Sequence, residues 1–172
     1  MNNLIRLTEH GPERVNEDLW TLALTGEEPA DGPRILSLDG WLQSQSEAVL
    51  SGLEPSADAV CLQPDDEAER LQPYLAVLPL IAVLFPSFRD GRGYSQAYLL
   101  RTRIGWTGEL RAVGDVLRDQ LSHMRQCGFD AFAVREDKSV EDAIKGLSGM
   151  SVLYGRSAIE PRPLFRRRSS EC

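Results

Sequence analysis

Residues 80–114 read LIAVLFPSFRDGRGYSQAYLLRTRIGWTGELRAVG, and this stretch decides the fold. It opens on the apolar run 80–85 and closes on a second strand-like run, 109–114. Between them, Ala97, Leu100 and Ile104 recur at helical spacing, which predicts a helix over 94–104. Short apolar runs that do not alternate are typical of parallel strands buried on both faces. The stretch therefore predicts a βαβ unit with two parallel strands.

The same alternation continues on both sides of this unit. Further strands are predicted at 34–38, 58–62 and 130–134, and further helices at 42–50, 66–78, 116–126 and from Ser139 to 147. Asp115 and Ser139 are expected to cap the helices that follow them. We therefore predict one α/β domain over 34–150, with a mostly parallel sheet of about five strands and flanking helices. An open sheet is preferred over a half-barrel, because about five strands are too few to close a barrel.

Two flanking segments complete the predicted organisation. Residues 1–33 are acidic and broken by glycine and proline, so we expect an N-terminal arm or an edge hairpin, with a short strand within 19–24. Residues 151–172 are expected to form a C-terminal tail, in which Pro161 and Pro163 argue against a helix.

Composition and charge exclude several functional classes. The chain has 172 residues and a net charge of −7, which argues against a general nucleic-acid binder. It contains neither an apolar run long enough to span a bilayer nor a signal-peptide pattern, so we expect a cytoplasmic protein without membrane attachment. The three cysteines show no metal-binding spacing, and no cofactor is predicted.

The connection after the 80–85 strand carries the most distinctive side chains. Ligands of open α/β sheets bind outside the carboxyl ends of the strands, and this loop is longer than most at that position. It leads into a helix N-terminus near Tyr94, where free backbone N–H groups favour an anion such as sulfite, sulfate, phosphate or a carboxylate. Asp115 follows the next strand and should lie at the same edge. The candidate ligand-binding residues are Arg89, Asp90, Gly91, Arg92, Gly93, Tyr94, Ser95 and Asp115.

Structural alternatives exist for these features. Asp90 could pair with an arginine while the glycines shape a turn and Ser95 caps the helix. Asp119 and His123, four residues apart on a predicted helix, could hold a metal, but such a pair is more often a surface hydrogen bond. No catalytic residues are assigned.

Three segments, residues 85–101, 108–121 and 127–132, carry a family resemblance. They read FPSFRDGRGYSQAYLLR, GELRAVGDVLRDQL and CGFDAF, and in this order they resemble a bacterial family catalogued as domain of unknown function 934. The resemblance spans roughly residues 30–165. Members of that family are often encoded beside the sulfite reductase haemoprotein of assimilatory sulfur metabolism, and some are labelled probable oxidoreductases of sulfite reduction.

Three functions remain open at this point. The resemblance implies an accessory protein of sulfite reduction that binds the reductase or its electron donor, and the Arg-rich loop would suit a small oxyanion. The alternatives are a stand-alone enzyme acting on a small anionic substrate, with Asp90 or Asp115 as acid or base, and a structural or oligomerisation module without catalysis.

Overall fold

The computed structural model describes residues 3–24, 32–50, 57–147 and 155–167. Eight strands in this part of the chain form one sheet. They are β1 Leu4–Thr8, β2 Gly11–Val15, β3 Thr21–Ala23, β4 Arg34–Ser37, β5 Ala59–Leu62, β6 Leu80–Phe85, β7 Glu109–Gly114 and β8 Ala131–Ala133.

From β4 onwards, the described helices alternate with the strands. They are α1 Leu38–Leu50, a 3₁₀ helix Ala68–Tyr74, α2 Arg92–Leu99 with a π-helical extension Leu100–Ile104, α3 Arg118–Cys127, α4 Val140–Leu147 and the single turn α5 Leu164–Arg167. None of the described helices is long and apolar enough to cross a membrane.

The sheet is a curled half-barrel, so the preference for an open sheet was wrong, although the α/β class is confirmed. Its strand order is β2-β1-β8-β7-β6-β5-β4-β3, with β3 to β8 parallel and adjacent in chain order. From β4 to β8 each crossover joins sequential neighbours, and because such crossovers are right-handed, their helices collect on one face of the sheet. The count of about five strands was also too low, because β3 joins the parallel part of the sheet and β1 and β2 extend it as an antiparallel pair.

The chain itself requires the curvature. Strands β2 and β3 lie at opposite edges of the sheet, and seven spacings of ~4.8 Å would separate these edges by about 34 Å in a flat sheet. Residues 16–20 join the two strands, and the path from Val15 to Thr21 can reach only about 21 Å when extended. The sheet must therefore curl, and residues 16–20 cross its concave face.

The two faces of the sheet differ in composition. The convex face packs against the helices through a large apolar cluster that includes Trp41, Phe85 and Phe132. The concave face carries smaller side chains such as Ala59, Cys61 and Ala82, against which Trp20 of the crossing segment packs. Small residues on the inside of a curved sheet let neighbouring strands tilt inwards.

An ion-pair network lies inside this concave face. Arg111 of β7 is fully buried and contacts Asp18 of the crossing segment at 2.9 Å and Glu109 at 2.7 Å. Glu109 also binds Arg6 of β1 at 2.8 Å. These pairs fasten the crossing segment to the middle of the sheet.

Four local predictions need correction. The predicted 66–78 helix is a 3₁₀ helix of seven residues, in which Pro73 removes a backbone donor. The helix predicted at 42–50 begins earlier, because α1 starts at Leu38 directly after β4. Asp115 does not cap the next helix, which begins at Arg118 after Leu117. The tail contains the helical turn α5, which begins directly after Pro163, where the missing N–H costs nothing.

Candidate functional site

The loops that follow β5 to β8 meet at the carboxyl edge of the sheet. Ion pairs tie them together: Arg92 after β6 contacts Asp65 after β5, and Arg135 after β8 contacts Asp115 after β7 at 3.0 Å. The convergence expected of parallel strands is therefore present. We call the exposed surface formed by these loops the carboxyl edge.

Asp90 and Arg92 form a closed pair at the start of α2. The Arg92 guanidinium donates to both carboxylate oxygens of Asp90, at 2.7 Å and 3.0 Å, and its backbone N–H donates to Asp90 as well, at 3.0 Å. These bonds lower the pKa of Asp90 to about 2. The carboxylate of Asp90 thus accepts the N–H at the first position of the helix, where the sequence predicted an external anion.

Asp115 positions the tip of the loop after β6. Its carboxylate accepts the backbone N–H of Phe88 at 2.8 Å and the Arg135 guanidinium at 3.0 Å, and both bonds lower the pKa of Asp115. From the other side, the side-chain amide of Gln120 donates to the carbonyl of Phe88 at 2.9 Å. The backbone of Phe88 is therefore held at both its N–H and its carbonyl.

The tip exposes an aromatic ring and a cation. The Phe88 side chain is 47% exposed, and the guanidinium carbon of Arg89 lies 5.3 Å from its ring centroid. Arg89 is itself exposed, and within the described ranges its guanidinium has no carboxylate partner. The neighbouring cations Arg92 and Arg135 are each bound to two carboxylates. Phe88 and Arg89, which we call the tip pair, are thus exposed together and available to an external group.

The remaining predicted residues have structural contacts. A Cβ on Gly93 would lie 2.7 Å from the Phe85 ring, so the glycine lets α2 pack closely on β6. Tyr94 stacks on Phe85 and accepts a hydrogen bond from Gln120 at 3.1 Å, and burial raises its pKa. Gly91 precedes α2 in open space.

Ser95 is the fourth residue of α2, so it does not cap the helix. It is exposed to solvent at the head of the helix.

The predicted Asp119–His123 pair does not form part of a metal cluster. In the described portion of the chain, no group of three or more His, Cys, Asp or Glu side chains could hold a metal ion. His123 instead stacks on Tyr94 at 4.7 Å between centroids, and its Nε2 lies 3.9 Å from the Cys127 sulfur. Burial raises the pKa of the Cys127 thiol, so it is not an activated nucleophile.

Sequence reasoning missed a cavity at the opposite edge. A cavity of about 370 Å³ lies at the amino ends of β7 and β8, where Arg101 and Gly128–Asp130 line it together with Ala158 and Ile159 of the C-terminal segment. No sequence signal marks this site, because its walls come from segments that are distant along the chain.

Comparisons with known proteins identify a family. The family model described as "Bacterial protein of unknown function (DUF934)" matches residues 59–165. That range contains β5 to β8 and the whole carboxyl edge described above. Neither the curated proteins nor the solved structures contain a match to this chain.

Proposed function

We propose, from the premise that this chain belongs to the bacterial family DUF934, that it is an accessory protein of assimilatory sulfite reduction. In this role it docks on an acidic surface of sulfite reductase or of its electron donor. The link to sulfite reduction comes from the genetic neighbourhood of similar proteins, and the docking role from the tip pair.

The tip pair is the observation that carries the docking proposal. Aromatic and arginine side chains dominate the binding energy of protein interfaces. Phe88 and Arg89 are exposed together, and Asp115 and Gln120 hold their backbone in place. A held tip loses little conformational freedom on binding, which favours affinity. The unpaired guanidinium favours an acidic partner surface.

The electrostatics of the edge support a binding role over acid–base catalysis. A general acid or base works best with a pKa near the operating pH. Asp90 has a pKa of about 2, and the pKa of Asp115 is also lowered from its usual value. Both carboxylates therefore remain ionised and bound to arginine at neutral pH, where they hold the loops.

Purified components test the docking role. The tagged protein is incubated separately with purified sulfite reductase and with its purified electron donor, and we expect one of the two to be retained. Arg89→Ala should abolish retention without unfolding the protein, because the Arg89 side chain is exposed and lies over the Phe88 ring. Arg103→Ala is the matched control, since Arg103 is an exposed arginine outside the carboxyl edge. Retention of neither partner by the wild type would overturn the proposal.

A small oxyanion is a second candidate ligand for the same guanidinium. This alternative is supported by the position of Arg89, which is exposed three residues before α2 and has no carboxylate partner among the described residues. We expect sulfite, in a thermal-shift series with sulfate, phosphate and adenosine phosphosulfate, to raise the Tm by several degrees near 100 times its Kd, which corresponds to ~2.7 kcal/mol. Arg89→Ala should remove this shift. Equal shifts for the variant and the wild type would exclude Arg89 as the ligand.

A further inference from the structure

We propose that the cavity at the amino edge of the sheet binds a small amphiphilic organic anion, whose acidic group pairs with Arg125 and whose apolar body lies against Leu7 and Ile159. The cavity has a volume of about 370 Å³, within the range of about 300–1,000 Å³ that is usual for small-molecule sites. This site is independent of the docking role proposed for the tip pair, because it lies at the opposite edge.

One wall of the cavity is preformed. The Arg101 guanidinium donates to the carbonyls of Gly128, Trp106 and Gly108 and to the carboxylate of Asp130, each at 2.8 Å. Asp130 also accepts the backbone N–H of Leu110 at 2.7 Å. These two charges neutralise each other and fix the wall, so neither needs a ligand.

Arg125 is the cation left for a ligand. It lines the cavity from α3 and is exposed, and within the described portion of the chain it has no carboxylate partner. Thr107 lines the same cavity and brings a hydroxyl that can donate a hydrogen bond. With Arg101 already neutralised by Asp130, the cavity has a net positive charge, which favours an anionic head group.

The rest of the lining is apolar and comes from both ends of the chain. Leu7 of β1 and Ala158 of the C-terminal segment are partly exposed and Ile159 is 50% exposed, whereas Phe129 is buried in the core. The Ala158 N–H donates to the carbonyl of Gln126 at 2.9 Å, which fastens this segment to α3. An apolar body attached to the acidic group would be covered by these side chains, whereas a simple inorganic anion would leave them in water.

Fluorescence titration of the full-length protein with 1-anilinonaphthalene-8-sulfonate tests the site, because this probe joins a sulfonate to an apolar ring system. We expect saturable binding of one probe per chain. Arg125→Ala should weaken it roughly tenfold or more, the loss expected for a charge-assisted hydrogen bond. Arg103→Ala should leave it unchanged, because Arg103 is an exposed arginine that does not line the cavity.

Two further outcomes decide the class of ligand. Octanoate should displace the probe, and acetate at the same ionic strength should not, because only octanoate has an apolar body. Amide exchange at Ala158 should slow when octanoate is bound, since the ligand packs against the C-terminal segment. Unchanged probe affinity in Arg125→Ala, or equal displacement by acetate and octanoate, would overturn the proposal.

Discussion

Replacing Asp18 by alanine should lower the free energy of unfolding by about 3–5 kcal/mol, the cost of breaking a buried ion pair from one side. The Asp18 and Arg111 side chains are 2% and 0% exposed, so the substitution leaves a guanidinium charge inside the half-barrel. Glu109 still contacts Arg111, but the Glu109 carboxylate also forms an ion pair with Arg6. The segment that crosses the concave face would lose its ion pair with the middle of the sheet.

Urea unfolding measures this effect as a lower midpoint with an unchanged slope. The matched control is Asp142→Ala, which breaks the exposed pair with Arg118, whose two side chains are 50% and 47% exposed. That change should cost at most about 1 kcal/mol. If Asp18→Ala and Asp142→Ala have similar effects, the buried network does not stabilise the curled sheet.

Gly114→Ala should destabilise the fold by about 2–5 kcal/mol. Gly114 ends β7 with a φ of 95°, where a side chain costs about 1–2 kcal/mol. A Cβ there would also lie 2.4 Å from the carbonyl oxygen of Phe85, and overpacking of this kind adds about 1–3 kcal/mol. The same carbonyl accepts the backbone N–H of Asp115 at 2.7 Å, and the carboxylate of Asp115 holds Phe88. The strain therefore lies next to the residue that positions the tip pair.

Gly105→Ala separates the two causes of this loss. Gly105 also has a positive φ, 85°, but a Cβ there would meet no atom within 4 Å. It should therefore show the cost of the backbone conformation alone, about 1–2 kcal/mol. The unfolding free energies of both variants, measured in urea, give the cost of the steric contact by difference. Equal losses for Gly105→Ala and Gly114→Ala would mean that the chain relieves the contact with Phe85.

The parallel core could be predicted from local patterns. The strands at 80–85 and 109–114 are confirmed to the residue, because each is a compact apolar run with loop residues on both sides. Ser139 caps α4 as predicted, and its hydroxyl accepts the N–H of Asp142 at 3.2 Å. These features depend on neighbours within a few residues, which the sequence displays directly.

The curl of the sheet depends on strand order, which local patterns do not contain. The edge strand β2 reads GPERV, and its proline and charges hide it from a pattern search, although such residues are common on edges. Only when β1 and β2 are placed at the far edge does it follow that residues 16–20 must cross the concave face. The ion pair of Arg111 could not be predicted either. In the sequence Arg111 is a single charge in an apolar strand, and its partner Asp18 lies 93 positions away.

The candidate site likewise combines features that the sequence predicts with features that only the structure shows. Parallel strands place Asp90 and Asp115 at one edge, as sequence reasoning expected, and the ion pairs of Arg92 and Arg135 tie their loops to the neighbouring ones. Which cation would remain unpaired could not be predicted, because both Arg89 and Arg92 lie beside Asp90 in the chain. The side-chain geometry assigns Asp90 to Arg92 and leaves Arg89 on the Phe88 ring.

The affinity of the protein for purified sulfite reductase, measured by titration calorimetry with the wild type, Phe88→Ala, Arg89→Ala and Arg103→Ala, tests the docking role most directly. Hot-spot side chains cost about 2 kcal/mol or more when truncated, so we expect each substitution in the tip pair to raise the Kd by about thirtyfold. Arg103→Ala should bind like the wild type. Wild-type affinity in both Phe88→Ala and Arg89→Ala would contradict the assignment of the tip pair as the docking surface.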